Sequence, residues 1–373
     1  MAYAGVGSVL APPNVRSLRE TPPHTGHHID EPLGLPLKFP AVLSQELAWT
    51  GPQFQDEAQY IYSLLDTEIA EVDAALARFK ALGLDGDLIN IDNFPLPTLG
   101  PKLVDLGAVL YNGRGFFVLR GIQPQNYSVE DLTMVWLGIQ AYIADQLHIV
   151  ADNTSDEKIG HHRHSTSAIT FHTEEAGDIT AWLTRSTAAS GGQCIIASAY
   201  NVYNILARHR PDIIRTLAKA DWPFAIPRFH CRPIIFYEDG KLITNFTRTP
   251  LLGNATHPRP EHLPKTSEKQ REALDIIEAI AQATQLEIRT QPGDMHFINN
   301  LAVLHRREGF VDGQSKQAKR HLVRMRLRSS NLGWNIPPEL QKEWEDAFEE
   351  DLVKTWHLEP MPGDAFPLRK YTN

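Results

Sequence analysis

The stretch Ala168-Ile169-Thr170-Phe171-His172-Thr173-Glu174 decides how this chain is read. Its first four residues form an apolar, β-branched run of the kind that makes a short strand. On an extended chain residues i and i+2 point to the same side, so the His172 imidazole and the Glu174 carboxylate would converge on one cation. A second stretch supplies a partner. Gln291-Pro292-Gly293-Asp294 reads as a turn, Met295-His296-Phe297-Ile298 as a strand, and His305 follows Asn299-Asn300 by a few residues. Two histidines and one carboxylate on one face of an octahedron hold iron(II) and leave three positions open.

The pattern H-x-[DE] carries little weight alone. With 16 histidines and 45 acidic residues it is expected about twice by chance, and it occurs three times: His28 with Asp30, His172 with Glu174, and His357 with Glu359. The first lies in a proline-rich segment and the last has no histidine after it. Only the middle pair ends a strand-like run and has a later histidine in a suitable place.

Around these stretches, residues 1–43 are rich in proline and short of period, which predicts an irregular N-terminal arm ahead of a single domain over 44–373. Helical spacing of Leu64, Leu65, Ile69, Val72, Leu76 and Phe79 predicts a helix over Gln55–Leu82, ended by Gly83. A second helix over Pro101–Tyr111 leads into a buried strand at Phe116–Leu119. Beyond Ile169 short β-type runs dominate, at Ile179–Thr184, Cys194–Ala197, Pro233–Phe236, Leu242–Phe246, Leu286–Thr290, Met295–Ile298 and His321–Leu327. Two helices interrupt them: Asn201–Ala220, broken at Pro211, and Glu268–Ala283, with Ser267 and Gln270 as a capping box and Leu274, Ile277 and Ala281 as its stripe. The fold class expected is α+β, a double-stranded β-helix (jelly roll) core with a helical N-terminal region and inserted helices.

Composition narrows the partners. The formal charge is −9 with no long basic run, which argues against nucleic acid or an anionic membrane. No run of about 20 apolar residues could span a bilayer. Two cysteines, Cys194 and Cys231, make neither a disulfide framework nor a cysteine-based zinc site, and suit a reducing cytosol. No signal peptide is evident, so a cytoplasmic location is expected. A homo-oligomer is compatible with the sequence.

One further run invites chemistry. In Lys319–Arg328, Arg320, Arg324, Arg326 and Arg328 share one parity, against His321, Val323, Met325 and Leu327. Arginines on one face of a core strand are costly unless paired with anions. They are either structural salt bridges on a solvated face or a bidentate clamp for a ligand carboxylate.

The segments FHTEEAGDITAW, ASGGQCIIASAYNVYNIL, NFTRTPLLG, QPGDMHFINNLAVLHRREGF and KRHLVRMRLR together resemble the taurine dioxygenase and clavaminate synthase superfamily of iron(II)/2-oxoglutarate dioxygenases. They fall in family order and span roughly residues 100–335. The resemblance implies iron ligation by His172, Glu174 and His305, with dioxygen and 2-oxoglutarate as co-reactants. It implies a distal-carboxylate clamp at Arg320, a substrate or cosubstrate contact at Arg324, and a second cosubstrate contact on the strand after Gly191-Gly192. Two departures stand out. Most relatives carry aspartate at the place of Glu174, although the clavaminate synthase branch has H-T-E, and Glu175 and Asp178 are competing carboxylates. Cys194 stands where relatives often have Thr or Ser, and a thiol is a weaker donor, so that contact is lost or moves to Ser198. The surplus arginines and the H-T-E branch point to an amino acid or other small carboxylate of specialised metabolism as substrate.

Other readings weigh against these. The same triad could hold zinc in a hydrolase, which would not need Arg320, or survive in a non-catalytic binding module. The run His161-His162-Arg163-His164 lacks a nearby carboxylate and reads as a loop, His296 as a packed residue, Trp182 and Phe297 as core. Arg248 is either a substrate contact or a structural salt bridge. Variable loops around Asp152–Ser167 and Asn254–Pro264 are where substrate contacts are expected.

Overall fold

The computed structural model describes residues 34–149, 166–226, 228–254, 258–315 and 318–348. Most of the expected arm, the run His161–His164, and the pairs His28/Asp30 and His357/Glu359 lie outside them. Two sheets organise the rest. The strands are β1 (Ile61–Ser63), β2 (Phe116–Arg120), β3 (Gln146–Ile149), β4 (Ile169–His172), β5 (Ile179–Ser186), β6 (Cys194–Ser198), β7 (Leu286–Ile288), β8 (Met295–Asn299), β9 (Val303–Arg307) and β10 (His321–Arg328). One sheet has the order β1-β2-β8-β5-β10-β3 and the other β7-β6-β9-β4.

The sheets face each other across an apolar layer. Phe116, Val118, Trp182 and Ile298 come from the larger sheet, and Ile196, Ile288 and Val303 from the smaller. Alternation along each strand turns the other residues outward, and helices cover them. Helix α1 (Asp66–Leu82) packs on α3 (Val129–Gln140), while α2 (Leu99–Asn112) packs on β2 and β8. On the smaller sheet lie α4 (Ala199–His209), continued after Pro211 by α5 (Pro211–Leu217), and α6 (Glu268–Thr284). Helix α7 (Pro338–Phe348) contacts β3. No helix among the described residues is long and apolar enough to cross a membrane.

The α+β class holds, but the expected jelly roll must be corrected. Both sheets are open, and among the described residues no ladder joins an edge of one to an edge of the other. Strand β1 also pairs with β2 in parallel, Ile61 opposite Val118. A parallel pair needs a long crossover, here the α1–α2 segment, which a run of antiparallel hairpins does not contain. Short β-type runs in the sequence report where strands are and say nothing about their partners.

Local signals fared better. Ser267 and Gln270 form the capping box of α6, with the Gln270 amide donating to Ser267 Oγ at 3.2 Å and the Ser267 amide to Gln270 Oε1 at 2.9 Å. Gly83 ends α1 in the left-handed region at φ 62°. That helix starts at Asp66, later than its apolar spacing suggested, because Ile61–Ser63 are drawn into β1.

Candidate metal centre

Strand pairing brings the two histidines together. β9 runs antiparallel to β4 with His305 directly opposite His172, and the ring centroids stand 4.2 Å apart. Cross-strand neighbours of this kind need no proximity in sequence. The His172 Nδ1 lies 2.9 Å from Thr170 O. Donating there fixes the tautomer that leaves the Nε2 lone pair for a metal.

Glu174 follows the end of β4, on a loop tied down from three sides. The Thr173 amide donates to Phe246 O at 2.7 Å, and the Phe246 amide returns a bond to Thr173 Oγ1 at 2.9 Å. The Glu174 amide donates to Asn300 Oδ1 at 2.6 Å, while Asn300 Nδ2 donates to Glu174 O at 3.2 Å and Gly177 O at 2.9 Å. Asn245 Nδ2 reaches Glu175 O at 3.3 Å. A buried loop must satisfy its backbone groups somewhere, and two asparagine side chains do much of that here. Gly177 sits at φ 100°, and a Cβ there would lie 2.9 Å from the Arg326 Cβ, so the loop closes directly over that arginine.

The result is one compact donor set. Glu174 Oε1 lies 3.4 Å from His305 Nε2 and 3.8 Å from His172 Nε2. All three ligand atoms fall within 4.8 Å of one another. Neighbouring ligands each about 2.1 Å from a metal stand about 3 Å apart, so modest closure completes a facial site, and the N₂O donors suit iron(II). Asp178 is not a ligand in this arrangement. Trp344 Nε1 donates to its Oδ1 at 2.9 Å and the Tyr111 hydroxyl lies 3.4 Å from Oδ2, while burial pushes its carboxyl up to about 6.

Glu174 is completely buried, so its charge needs compensation. It comes from the arginine parity of β10. Arg324 Nη1 pairs with Oε1, and Arg326 Nη2 donates to Oε2 at 3.0 Å. Arg324 and Arg326 stand opposite Trp182 and Thr180 of β5, on the side of the sheet that faces the site. Of the two open readings of that face, the structure records the ion pairs: Arg324 and Arg326 both pair with Glu174, around a buried carboxylate.

Arg320 lies just before β10 in different surroundings. Its Nε donates to Gly192 O at 3.3 Å, and its backbone amide to Asp312 Oδ1. Burial lowers its guanidinium to about 10, which still leaves it charged at neutral pH. Gly192, at φ 75°, permits the approach, since a Cβ there would stand 3.0 Å from the Arg320 Cδ. Arg307 and Arg320 lie over the Phe310 ring, 4.8 and 5.4 Å from its centroid. Arg320 opens on a cavity of about 170 Å³ lined also by Trp182, Thr184, Cys194, Thr290 and Leu322. The Trp182 ring lies 6.3 Å from that of His305, which puts the cavity beside the triad.

The remaining residues singled out in the sequence are placed as follows. Cys194 is buried in the cavity wall, and desolvation pushes its thiol up to about 12, so it stays protonated. The Ser198 hydroxyl caps α4, accepting from the Asn201 amide at 2.9 Å and donating to Leu47 O. His296 stacks on Trp182 at 4.9 Å and is held neutral by burial, which lowers it to about 3. Arg248 pairs with Asp275. Asn245, Asn300 and the role of Arg326 escaped the sequence reading. Both asparagines lie within the quoted segments NFTRTPLLG and QPGDMHFINNLAVLHRREGF, but their partners are 70 and 126 residues away.

Comparison with known proteins agrees with this geometry. The family described as taurine catabolism dioxygenase TauD, TfdA family matches residues 58–326. A taurine hydroxylase-like protein of Stachybotrys chartarum is 35% identical over 351 residues, covering 87% of this chain and 91% of the relative. The FR-33289 synthase of Streptomyces rubellomurinus is 26% identical over 320 residues, covering 78% and 91%. Among solved structures, an asparagine oxygenase complex superposes with TM-score 0.57 at 14% identity, over 72% of this chain and 93% of that one. The non-haem iron oxygenase OrfP with iron and α-ketoglutaric acid does so with TM-score 0.51 at 15% identity, over 72% and 94%. The chain belongs to the TauD/clavaminate-like superfamily of Fe(II)/2-oxoglutarate dioxygenases, with iron(II) as its metal and 2-oxoglutarate as its cosubstrate.

Proposed function

We propose that this enzyme couples the decarboxylation of 2-oxoglutarate to the hydroxylation, desaturation or cyclisation of a small carboxylate, with amino acids the first class to test. The observation that carries the reading is the convergence of His172, Glu174 and His305 beside a cavity lined by the partly buried Arg320 guanidinium. When bound, iron(II) supplies the redox chemistry that consumes dioxygen and 2-oxoglutarate.

The chain's own residues supply position and charge. His172 and His305 would each present Nε2, and the Thr170 carbonyl keeps the proton of His172 on Nδ1. Arg326 holds Glu174 by Oε2, while Oε1 faces both imidazoles and pairs with Arg324. Arg320 would anchor the far carboxylate of 2-oxoglutarate as a permanent cation with a planar fork of donors. Arg324, with its side chain 23% exposed, reaches the open side of the site and would meet a carboxylate of the substrate or cosubstrate. Burial of Glu174 and His305 limits water at the site and strengthens each of these interactions. The taurine hydroxylase-like relative supports the substrate class, since taurine joins an amine to an anionic group as amino acids do. We place the activity in one domain over 44–373 and in the cytoplasm, where the free thiols of Cys194 and Cys231 would persist; cell fractionation checks the location.

Anaerobic titration of the apo-protein with iron(II) and 2-oxoglutarate tests the core of this. A weak visible charge-transfer band should appear in wild type, vanish in His172→Ala, and need far more 2-oxoglutarate in Arg320→Ala. Iron bound without any band would overturn the cosubstrate assignment.

A further inference from the structure

The cavity beside the triad raises a question that Cys194 leaves open: which neutral group joins Arg320 in holding a carboxylate. The Cys194 thiol is a weak donor. The Ser198 hydroxyl is committed to Leu47 O and the α4 cap. Thr290 Oγ1 lies 3.4 Å from both Ile288 O and His296 Nε2, and the Ser186 hydroxyl donates to Lys319 O. Thr184 differs from all of these. It lines the cavity, is completely buried, and its Oγ1 has no hydrogen-bond partner among the described residues.

The position of Thr184 is fixed by its backbone. Its amide donates to Asp294 O at 2.9 Å, and its carbonyl accepts from the Gly293 amide at 2.7 Å, so the Gln291–Asp294 turn grips it from both sides. It stands opposite Leu322 of β10 and follows Trp182 by two residues, so all three turn toward the cavity. A buried hydroxyl without a partner costs free energy that a ligand oxygen can recover. A carboxylate held by an arginine fork keeps lone pairs to spare, and an O–H donor in the same wall matches them.

Resting on the dioxygenase reading above, we infer that the Thr184 hydroxyl donates to the distal carboxylate of 2-oxoglutarate together with Arg320, in the role relatives often give to the residue at the Cys194 position. Thr184 is then a specificity residue for a five-carbon 2-oxo diacid over 2-oxo acids that lack the far carboxylate.

The test is anaerobic calorimetric titration of the iron(II)-loaded protein with 2-oxoglutarate and, separately, with 2-oxobutyrate, which has no distal carboxylate. Thr184→Val removes the hydroxyl at nearly constant volume, Thr184→Ala removes it by a second route, and Thr184→Ser restores it. The expected result is a rise of about tenfold or more in the Kd for 2-oxoglutarate in the valine and alanine variants, near wild-type binding in the serine variant, and little change for 2-oxobutyrate. Unchanged 2-oxoglutarate binding in either hydroxyl-free variant overturns the assignment. So does an equal loss for both ligands, which would mark Thr184 as structural. If wild type itself does not bind 2-oxoglutarate, the dioxygenase reading fails first and this inference falls with it.

Discussion

Arg326 Nη2 lies 3.0 Å from Glu174 Oε2, with both side chains sealed from solvent, while Oε1 carries the Arg324 pair and faces the two histidines. With the Arg324 pair and the Asp178 amide donating to Leu327 O at 3.0 Å, this contact ties β10 to the loop after β4. The contact also accounts for a glutamate in this ligand position. The longer arm is braced at its far end, and Gly177 lets the loop close over the brace.

Arg326→Leu should therefore do two things. Leaving a buried carboxylate with one cation fewer should cost about 3 kcal/mol of stability, read as a lowered urea midpoint. Iron(II) or cobalt(II) affinity should fall about tenfold or more, because Oε1 loses its orientation. Unaltered metal affinity in a folded variant would show that Arg324 alone positions Glu174.

His305→Ala removes one of three ligands on a strand whose other residues are well packed. Metal binding should drop by at least about a hundredfold, with little loss of secondary structure by circular dichroism. Chelation of wild type should abolish 2-oxoglutarate turnover, and added iron(II) should restore it. Retained stoichiometric iron in His305→Ala would transfer the ligand role elsewhere.

Gly192→Ala probes the proposed Arg320 clamp without touching a charge. A Cβ at φ 75° is strained and would press on the Arg320 Cδ. The variant should raise the Kd for 2-oxoglutarate severalfold while iron affinity stays near wild type. Arg320→Ala should raise it by about a hundredfold, as for a lost charge-assisted pair.

His296 makes the fold acid-sensitive. Its folded value is lowered from 6.5 to about 3 by burial, so the unfolded chain takes up this proton first. The stability it protects is complete above pH 6.5 and declines as pH falls toward 3. Between pH 7 and 4.5 this group alone should remove about 3 kcal/mol. His296→Phe, which keeps a flat ring against Trp182, should show a shallower loss in urea titrations over that interval. Parallel curves for the two proteins would exclude His296 as the cause.

Much of this molecule is legible in its sequence because much of it is local. The capping box of α6, the glycine stop of α1 and the break at Pro211 rest on neighbours within a turn, and the structure places them as read. Helix α3 was not legible. Leu132, Val135, Trp136, Leu137 and Ile139 are buried nearly all round, which erases the periodic stripe that marks a surface helix. The extra residues assigned to the start of α1 have the same origin, since an apolar run such as Tyr60–Leu64 serves a strand as well as a helix.

By itself the sequence determined the chemistry on offer: two histidines and a glutamate after strand-like runs, an arginine-rich strand, a double glycine, and family order among them. Those depend on residue identity and short spacing. Only the tertiary structure decided the pairing. It set β1 beside β2 in parallel, left both sheets open, gave Ser198 to a helix cap, placed Asn300 and Arg326 on Glu174, and turned Thr184 into the Arg320 cavity. Each is a contact between residues far apart in the chain, and their energy comes from burial and hydrogen-bond satisfaction, which exist only once the chain has closed on itself.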